Sequence, residues 1–175
     1  DGQTIYFASD RKGGRGGLDI YFCQKKIDGG WTEPENLGTA INTGYDENFP
    51  NISPDGKTLT FASKGHPGIG GYDIFESVYN DEIKSWQAPR NLGSPINTPF
   101  DNTIICYAPD KKTAFIAANR AEGFGNLDIY KISFGDESLQ SAIIQGLVFV
   151  GPKGGAVPYS DDFLKHHNQN FLEKI

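Results

Sequence analysis

The segment DGQTIYFAS beginning at Asp1 returns as DGKTLTFAS from Asp55 and as DKKTAFIAA from Asp110, at spacings of 54 and 55 residues. A glycine-rich stretch keeps step with it. KGGRGGLDIY, GIGGYDIF and GFGNLDIY place Asp19, Asp73 and Asp128 eighteen positions after the first aspartate of each copy. A third block, WTEPENLGTAINTGYDENFP from Trp31, is matched by WQAPRNLGSPINTPFDNTII from Trp86. Self-similarity at a fixed period means one supersecondary unit, repeated, in which each copy needs a neighbour to bury its apolar face.

Each unit reads as four short strands. The middle unit has them at Glu47–Ser53, Lys57–Ser63, Tyr72–Tyr79 and Trp86–Gly93, with the SPDGK turn at Asp55 and Gly56 joining the first two. Leu59 and Phe61 fall on one face, as do Ile5 and Phe7. The other face takes Tyr6, Thr60 and Phe115. A sheet partly apolar on both faces is sandwiched between neighbours. An aromatic content of 13% without methionine suits β-structure packed with rigid rings. The expected fold is all-β, with β-propeller blades of four antiparallel strands.

The repeats at 1–54, 55–109 and 110–134 amount to two and a half to three blades. The first lacks its opening strand. The third has strands at Thr103–Ala108, Thr113–Ala118 and Leu127–Ser133 but no Trp-N-L-G strand, and Lys111 stands where the second has Gly56. A closed propeller needs at least about four blades. The expectation is a piece of a longer protein or completion by another chain. Residues 135–142, GDESLQSA, read as a polar linker before residues 143–175. Ile143–Val150 either opens a new β-sandwich or returns as a closing strand. The tail offers a short helix capped by Asp161 or Asp162, with Leu164, Phe171 and Ile175 on one face.

The glycines raise the alternative of a phosphate loop. Such a loop feeds one helix N-terminus and ends in Lys-Ser/Thr. Here the glycines come three times, each before a β-branched and aromatic run. They are expected to supply positive φ where the chain reverses.

SPDGKTLTFAS, GGYDIF and W-x-x-P-x-N-L-G-x-x-I-N-T together resemble TolB-type propeller repeats, the Pro-Asp relatives of WD repeats. The long unit is similar to the version in OmpA-family proteins of the outer membrane, over residues 1–134. The resemblance implies a non-enzymatic protein–protein interaction scaffold in the periplasm of a gram-negative bacterium. It implies peptidoglycan association only through a domain not in this chain, and a tie in some members to type IX secretion and gliding. The propeller would be followed by a carboxypeptidase-regulatory-like β-sandwich, which IIQGLVFVGPKGGAVPY resembles at its opening. The same repeats resemble the gating propeller of prolyl oligopeptidase-type serine peptidases, an enzymatic alternative needing a G-x-S-x-G domain beyond Ile175. A glycan-binding propeller is the third alternative.

Net charge of −6 and a pI near 5.0 argue against a nucleic-acid partner. No apolar run approaches membrane-spanning length. Cys23 and Cys106 have no C-x-x-C spacing, so no structural zinc is expected, and both read as small core residues. Adjacent His166 and His167 cannot both face one metal. There is no nucleophile elbow and no triad. No catalytic residue, metal or cofactor is expected.

Three sets of residues are candidates for a role. Asp19, Asp73 and Asp128 are expected to accept loop N–H groups, with a repeated calcium site as the alternative. Asn42, Asp46 and Glu47 match Asn97, Asp101 and Asn102 where one unit hands over to the next. There they either satisfy turn backbone or line a channel mouth for a metal, sugar or peptide end. Arg11, Lys12, Arg15, Lys64, His66, Asn119 and Arg120 share that face, either as solvated loop or as a surface for an anionic glycan, lipid headgroup or acidic partner. Trp31 and Trp86 are expected to pack between units, with stacking on sugars as the alternative.

Overall fold

The computed structural model describes residues 2–110, 112–121, 123–134 and 172–174; among them there is no helix, and every strand pairing is antiparallel. The first sheet is β1 (Thr4–Ser9), β2 (Asp19–Gln24) and β3 (Glu35–Asn36), in that order. The second holds β4 (Glu47–Ile52), β5 (Thr58–Ser63), β6 (Asp73–Asn80), β7 (Ser85–Trp86) and β8 (Arg90–Asn91). Both β7 and β8 pair with β6. The third orders β9 (Asn102–Tyr107), β10 (Thr113–Ala118), β11 (Asp128–Ser133) and β12 (Leu172–Lys174) with β9 at one edge and β12 at the other.

The repeat is obeyed to the residue. Ser9 pairs with Asp19, Ser63 with Asp73 and Ala118 with Asp128. The expected single outer strand Trp86–Gly93 is instead two short pieces. Pro89 lies between them and has no N–H to give the ladder. In the first sheet the same interruption leaves only an isolated bridge from Trp31 to Lys25 before β3. A second irregularity falls in β4, where the register shifts between Asn48 and Asn51 around Pro50. Phe49 there has φ near 53° and donates its N–H to Asn48 Oδ1 at 2.7 Å.

The core lies between sheets. Ile20 and Tyr6 of the first sheet pack with Leu59, Phe61, Phe75 and Trp86 of the second, around Ile41 of the connecting turn. Ile74 of the second packs with Ile105, Ala114, Ile116 and Ile132 of the third, around Ile96. β6 alternates, so Ile74 and Phe75 serve opposite neighbours, and the second sheet is covered on both faces. Fully burying one such side chain stabilises by about 1.5–3 kcal/mol.

Cys23 is buried as expected, but Cys106 is exposed, and both are free thiols. β9 turns Ile105 inward, so Cys106 falls on the opposite face of the third sheet, which no other sheet among the described residues covers. The end of the chain also departs from the expected helix. Leu172–Lys174 is a strand, pairing Ile132 with Leu172 and Tyr130 with Lys174, beside β11 as β3 lies beside β2. The linker at 135–142, the stretch 143–150, the capping aspartates, His166, His167 and Lys111 lie outside the described residues.

Candidate functional site at the sheet junctions

Each sheet passes to the next through an N-L-G-x-x-I-N-T turn. Asn36 Oδ1 accepts the Gly38 N–H at 2.8 Å, and Asn91 Oδ1 accepts the Gly93 N–H at 2.7 Å. Both glycines have positive φ, 79° and 65°, which side chains resist. Asn42 follows. Its Oδ1 accepts Ile20 N–H at 2.8 Å, and its Nδ2 donates to Ile20 O at 2.9 Å and to Asn36 Oδ1 at 2.8 Å. Asn97 does the same to Ile74, at 2.8 Å each way, and to Asn91 Oδ1 at 2.8 Å. Each carboxamide imitates a strand partner that exchanges both bonds with one residue. Both are buried and fully engaged, so neither faces a ligand.

Past the asparagine the two junctions diverge. Glu47, 0% exposed, accepts from Thr43 N–H on Oε2 at 2.7 Å. Its Oε1 accepts from Thr43 Oγ1 and Ser63 Oγ, each at 2.7 Å. At the second junction the matching residue is Asn102, and Arg120 reaches in beside it. The Arg120 guanidinium donates to Asn102 Oδ1 at 2.6 Å, Thr98 Oγ1 at 2.5 Å, Ile96 O at 2.9 Å and Pro95 O at 3.2 Å. It lies 5.6 Å from the Tyr130 ring centroid and is 6% exposed. Arg120 was a candidate for an anionic partner; its guanidinium is spent inside the fold instead.

His66 does at the first junction what Arg120 does at the second. Its Nε2 lies 2.8 Å from Ile41 O, the counterpart of Ile96 O. Its ring sits 5.8 Å from Phe61 and 5.2 Å from Phe75. A planar nitrogen group on an aromatic shelf thus holds the isoleucine carbonyl of the preceding turn in both places.

The glycine loops hold a second set of carboxylates. Asp19 accepts the N–H groups of Arg15 at 2.5 Å and Gly16 at 3.2 Å, and Nδ2 of Asn36 at 2.9 Å. Asp73 accepts those of Ile69 at 2.6 Å and Gly70 at 2.9 Å, and Asp128 that of Phe124 at 2.8 Å. Asp46 reaches across to the loop before it, accepting Leu18 N–H at 3.0 Å, and Asp101 accepts Tyr72 N–H at 2.8 Å. Gly13 of the first loop has φ near 90°, as expected, but Gly68, Gly70 and Gly71 of the second do not have positive φ. Their need is space. A Cβ on Gly16 would strike the Tyr45 backbone, and one on Gly70 the carbonyls of Thr98 and Phe100. The loops are glycine-rich because the next turn lies directly against them. Among the described residues no cluster of His, Cys, Asp and Glu has a metal-binding arrangement.

Asp46 also carries an ion pair, with Lys64 Nζ at 3.0 Å. The Lys64 ammonium, then the Leu18 N–H, hold the Asp46 carboxyl below the usual carboxylate range. Asp46 in turn raises the Lys64 ammonium. Lys64 also lies 4.5 Å from the Tyr72 ring centroid. Its counterpart Asn119 is half-buried and donates its backbone N–H to Asp101 O at 2.9 Å. Lys12 and Arg15 are exposed. In the SPDGK turn, Asp55 Oδ1 accepts Lys57 N–H at 3.0 Å and Gly56 has φ of 71°.

Trp86 is buried, edge-on to Tyr79 at 5.3 Å and to Tyr6 of the first sheet at 6.3 Å. It has no face to offer a sugar. Trp31 is 39% exposed. The residues overlooked from sequence are Thr43, Thr98 and Ser63. Thr43 and Thr98 sit in the repeated I-N-T itself. A scan of the chain against protein-family models gives no match, and neither does a comparison with curated proteins.

Proposed function

We propose that this chain is part of a TolB-like β-propeller of the OmpA-family type, acting as a non-enzymatic protein-binding scaffold in the periplasm at the outer membrane. The three sheets are its blades, and the glycine loops form the face that docks a partner. The observation that carries this reading is the division of polar groups at the junctions. Asn42, Glu47, Asn97, Asn102 and Arg120 are buried and bonded to one another's turns, whereas Lys12, Arg15 and Lys64 stand exposed on the same rim. Residues that chemistry would need are occupied in joining blades. What remains for a partner is a cationic rim on an acidic protein, suited to an acidic protein surface.

The test is cell fractionation of the source organism followed by photo-crosslinking from position 12. The expected result is a crosslinked protein in the periplasmic or outer-membrane fraction, lost in a Lys64→Glu/Arg15→Glu variant. A cytoplasmic location, or crosslinks indifferent to those charges, would overturn the reading.

A further inference from the structure

A groove of about 430 Å³ opens between the first and second sheets, at the end away from the glycine loops. Two cross-strand aromatic pairs face each other across it. Tyr6 pairs with Phe22 on the first sheet, with ring centroids 6.2 Å apart, and Tyr79 pairs with Trp86 on the second, at 5.3 Å. Tyr6 meets Trp86 across the gap at 6.3 Å. Tyr6, Phe22 and Tyr79 are half-buried, and Trp86 is buried. The first sheet lines the groove with Tyr6–Phe22 and Thr4–Gln24, the pairs that join β1 to β2, so this wall is the paired side of β1. The repeat does not ask for aromatic walls. In the next gap the counterparts of Tyr6 and Phe22 are Thr60 and Glu76, which also pair, and Glu76 is tied to Arg90 at 3.0 Å.

The polar groups of the groove narrow the class of ligand. Tyr6, Tyr79, Gln24 and Lys84 all line it, and their hydroxyls, amide and ammonium have no hydrogen-bond partner among the described residues. Burial, and then Tyr79 beside it, pushes the Tyr6 phenol up, so it keeps its proton to donate. Among the lining residues there is no Asp or Glu. A cationic ligand would therefore meet Lys84 with no carboxylate to offset it. A sugar would want a flat, open ring face. Trp86 instead stands at 81° to Tyr6 and 72° to Tyr79, which makes a cup and not a platform.

We propose that this groove binds a small free aromatic carboxylate, its ring held among Tyr6, Phe22 and Tyr79 and its carboxylate on the Lys84 ammonium and the Tyr6 hydroxyl. The volume lies within the range of about 300–1,000 Å³ usual for small-molecule sites, and apolar walls with a few convergent polar groups are their usual make-up. Ring contacts at the edges and faces of the cup supply the apolar part of the affinity. The ammonium and the phenol each give the carboxylate a charge-assisted hydrogen bond, and these set its orientation. The inference rests on the groove alone and stands or falls apart from the scaffold reading.

The experiment titrates 3-phenylpropionate into the 175-residue chain and reads binding by calorimetry and by ligand-observed NMR. Saturable binding with a Kd of about 1 mM is expected for so small a probe. It should weaken roughly tenfold for Lys84→Gln and about threefold for Tyr6→Phe, which keeps the ring and removes the hydroxyl. The neutral 3-phenylpropionamide should bind about tenfold less well to the parent chain and equally to Lys84→Gln. Lys84 is exposed, so its variant should fold as the parent does, which circular dichroism checks. Lys12→Met, in a glycine loop at the other end of the sheets, should leave binding unchanged. No saturation, or equal binding by Lys84→Gln, would overturn the proposal. So would tighter binding of benzyltrimethylammonium or of cellobiose, since the groove would then be a cation or a sugar site.

Discussion

The two junctions solve one problem with opposite charges. The first buries an anion, Glu47, among the neutral donors of Thr43 and Ser63. The second buries a cation, Arg120, against oxygens of Thr98, Asn102, Pro95 and Ile96. Three positions change together. Glutamate becomes asparagine, serine becomes alanine, and Gly65 becomes arginine. The threonine stays: Thr43 Oγ1 donates to Glu47 at 2.7 Å, and Thr98 Oγ1 donates to Asn102 Oδ1 at 3.4 Å while also accepting from Arg120. Buried charge is tolerated only where every partner is matched. A repeat can therefore keep its backbone while its junction chemistry changes as a set.

The largest effect expected is from Arg120→Met. The side chain keeps its bulk but leaves Ile96 O, Pro95 O, Thr98 Oγ1 and Asn102 Oδ1 without the guanidinium. Destabilisation of about 3–5 kcal/mol is expected by denaturant unfolding. A loss under about 1 kcal/mol would mean that the second junction does not depend on its cation.

Asn42→Ala and Asn97→Ala isolate the part the junctions share. Each strips one buried N–H and one buried carbonyl, of Ile20 or of Ile74, of its partner. A cost of about 3 kcal/mol is expected for each. Near equality is the point of the pair. If one proved much the costlier, the asparagines would belong to the differing chemistry and not to the common frame.

The frame was open to sequence reasoning because it is periodic. β10 spans Thr113–Ala118 as expected, and the other long strands lie within a residue or so of their expected bounds. The aspartates at 19, 73 and 128 announced themselves by recurring. The junction cage did not, because apart from the threonine its members do not repeat as types. Glu47 and Asn102 look like drift at one position, as do Ser63 and Ala118. The substitutions make sense only when seen to meet in space. The role of the loop glycines was hidden for a different reason. A glycine needed for φ and one needed for clearance are the same letter, and only the contact with the next turn separates them. Exposure was hidden too: Cys23 and Cys106 both sit in apolar runs, but only one lies on a covered face.

Glu47→Gln tests the anionic half. One amide oxygen can still take Thr43 Oγ1–H and Ser63 Oγ–H, but the amide nitrogen then faces the Thr43 N–H, donor against donor. A loss of about 2 kcal/mol is expected, followed by the fluorescence of the buried Trp86. Adding Ser63→Ala copies the alanine that stands at Ala118 in the second junction and removes the hydroxyl that donates to Glu47 Oε1. The double variant should therefore cost less than the two singles together, by about 0.5–1 kcal/mol in a double-mutant cycle. Strict additivity would mean that Ser63 and Glu47 do not act as a unit.

The smallest effect concerns the rim, where the first junction has the Asp46–Lys64 ion pair and the second has Asp101 beside Asn119. Both charged side chains are partly solvated, so Lys64→Asn, which copies the second junction, should cost less than about 1 kcal/mol at neutral pH. The pH dependence carries the sign. The folded state holds the Asp46 carboxyl below its ordinary value, so its contribution is present above about pH 4. It is lost as pH falls through the lowered folded value. Lys64 is raised, so its share is present below about pH 10 and disappears as pH climbs through the raised folded value. The stability difference between the parent chain and Lys64→Asn should therefore form a plateau between these limits and shrink at both ends. It should also shrink in about 1 M salt, where the screening length falls to about 3 Å. A difference that persisted in strong acid would show that Lys64 acts through its stacking on Tyr72 and not through its charge on Asp46.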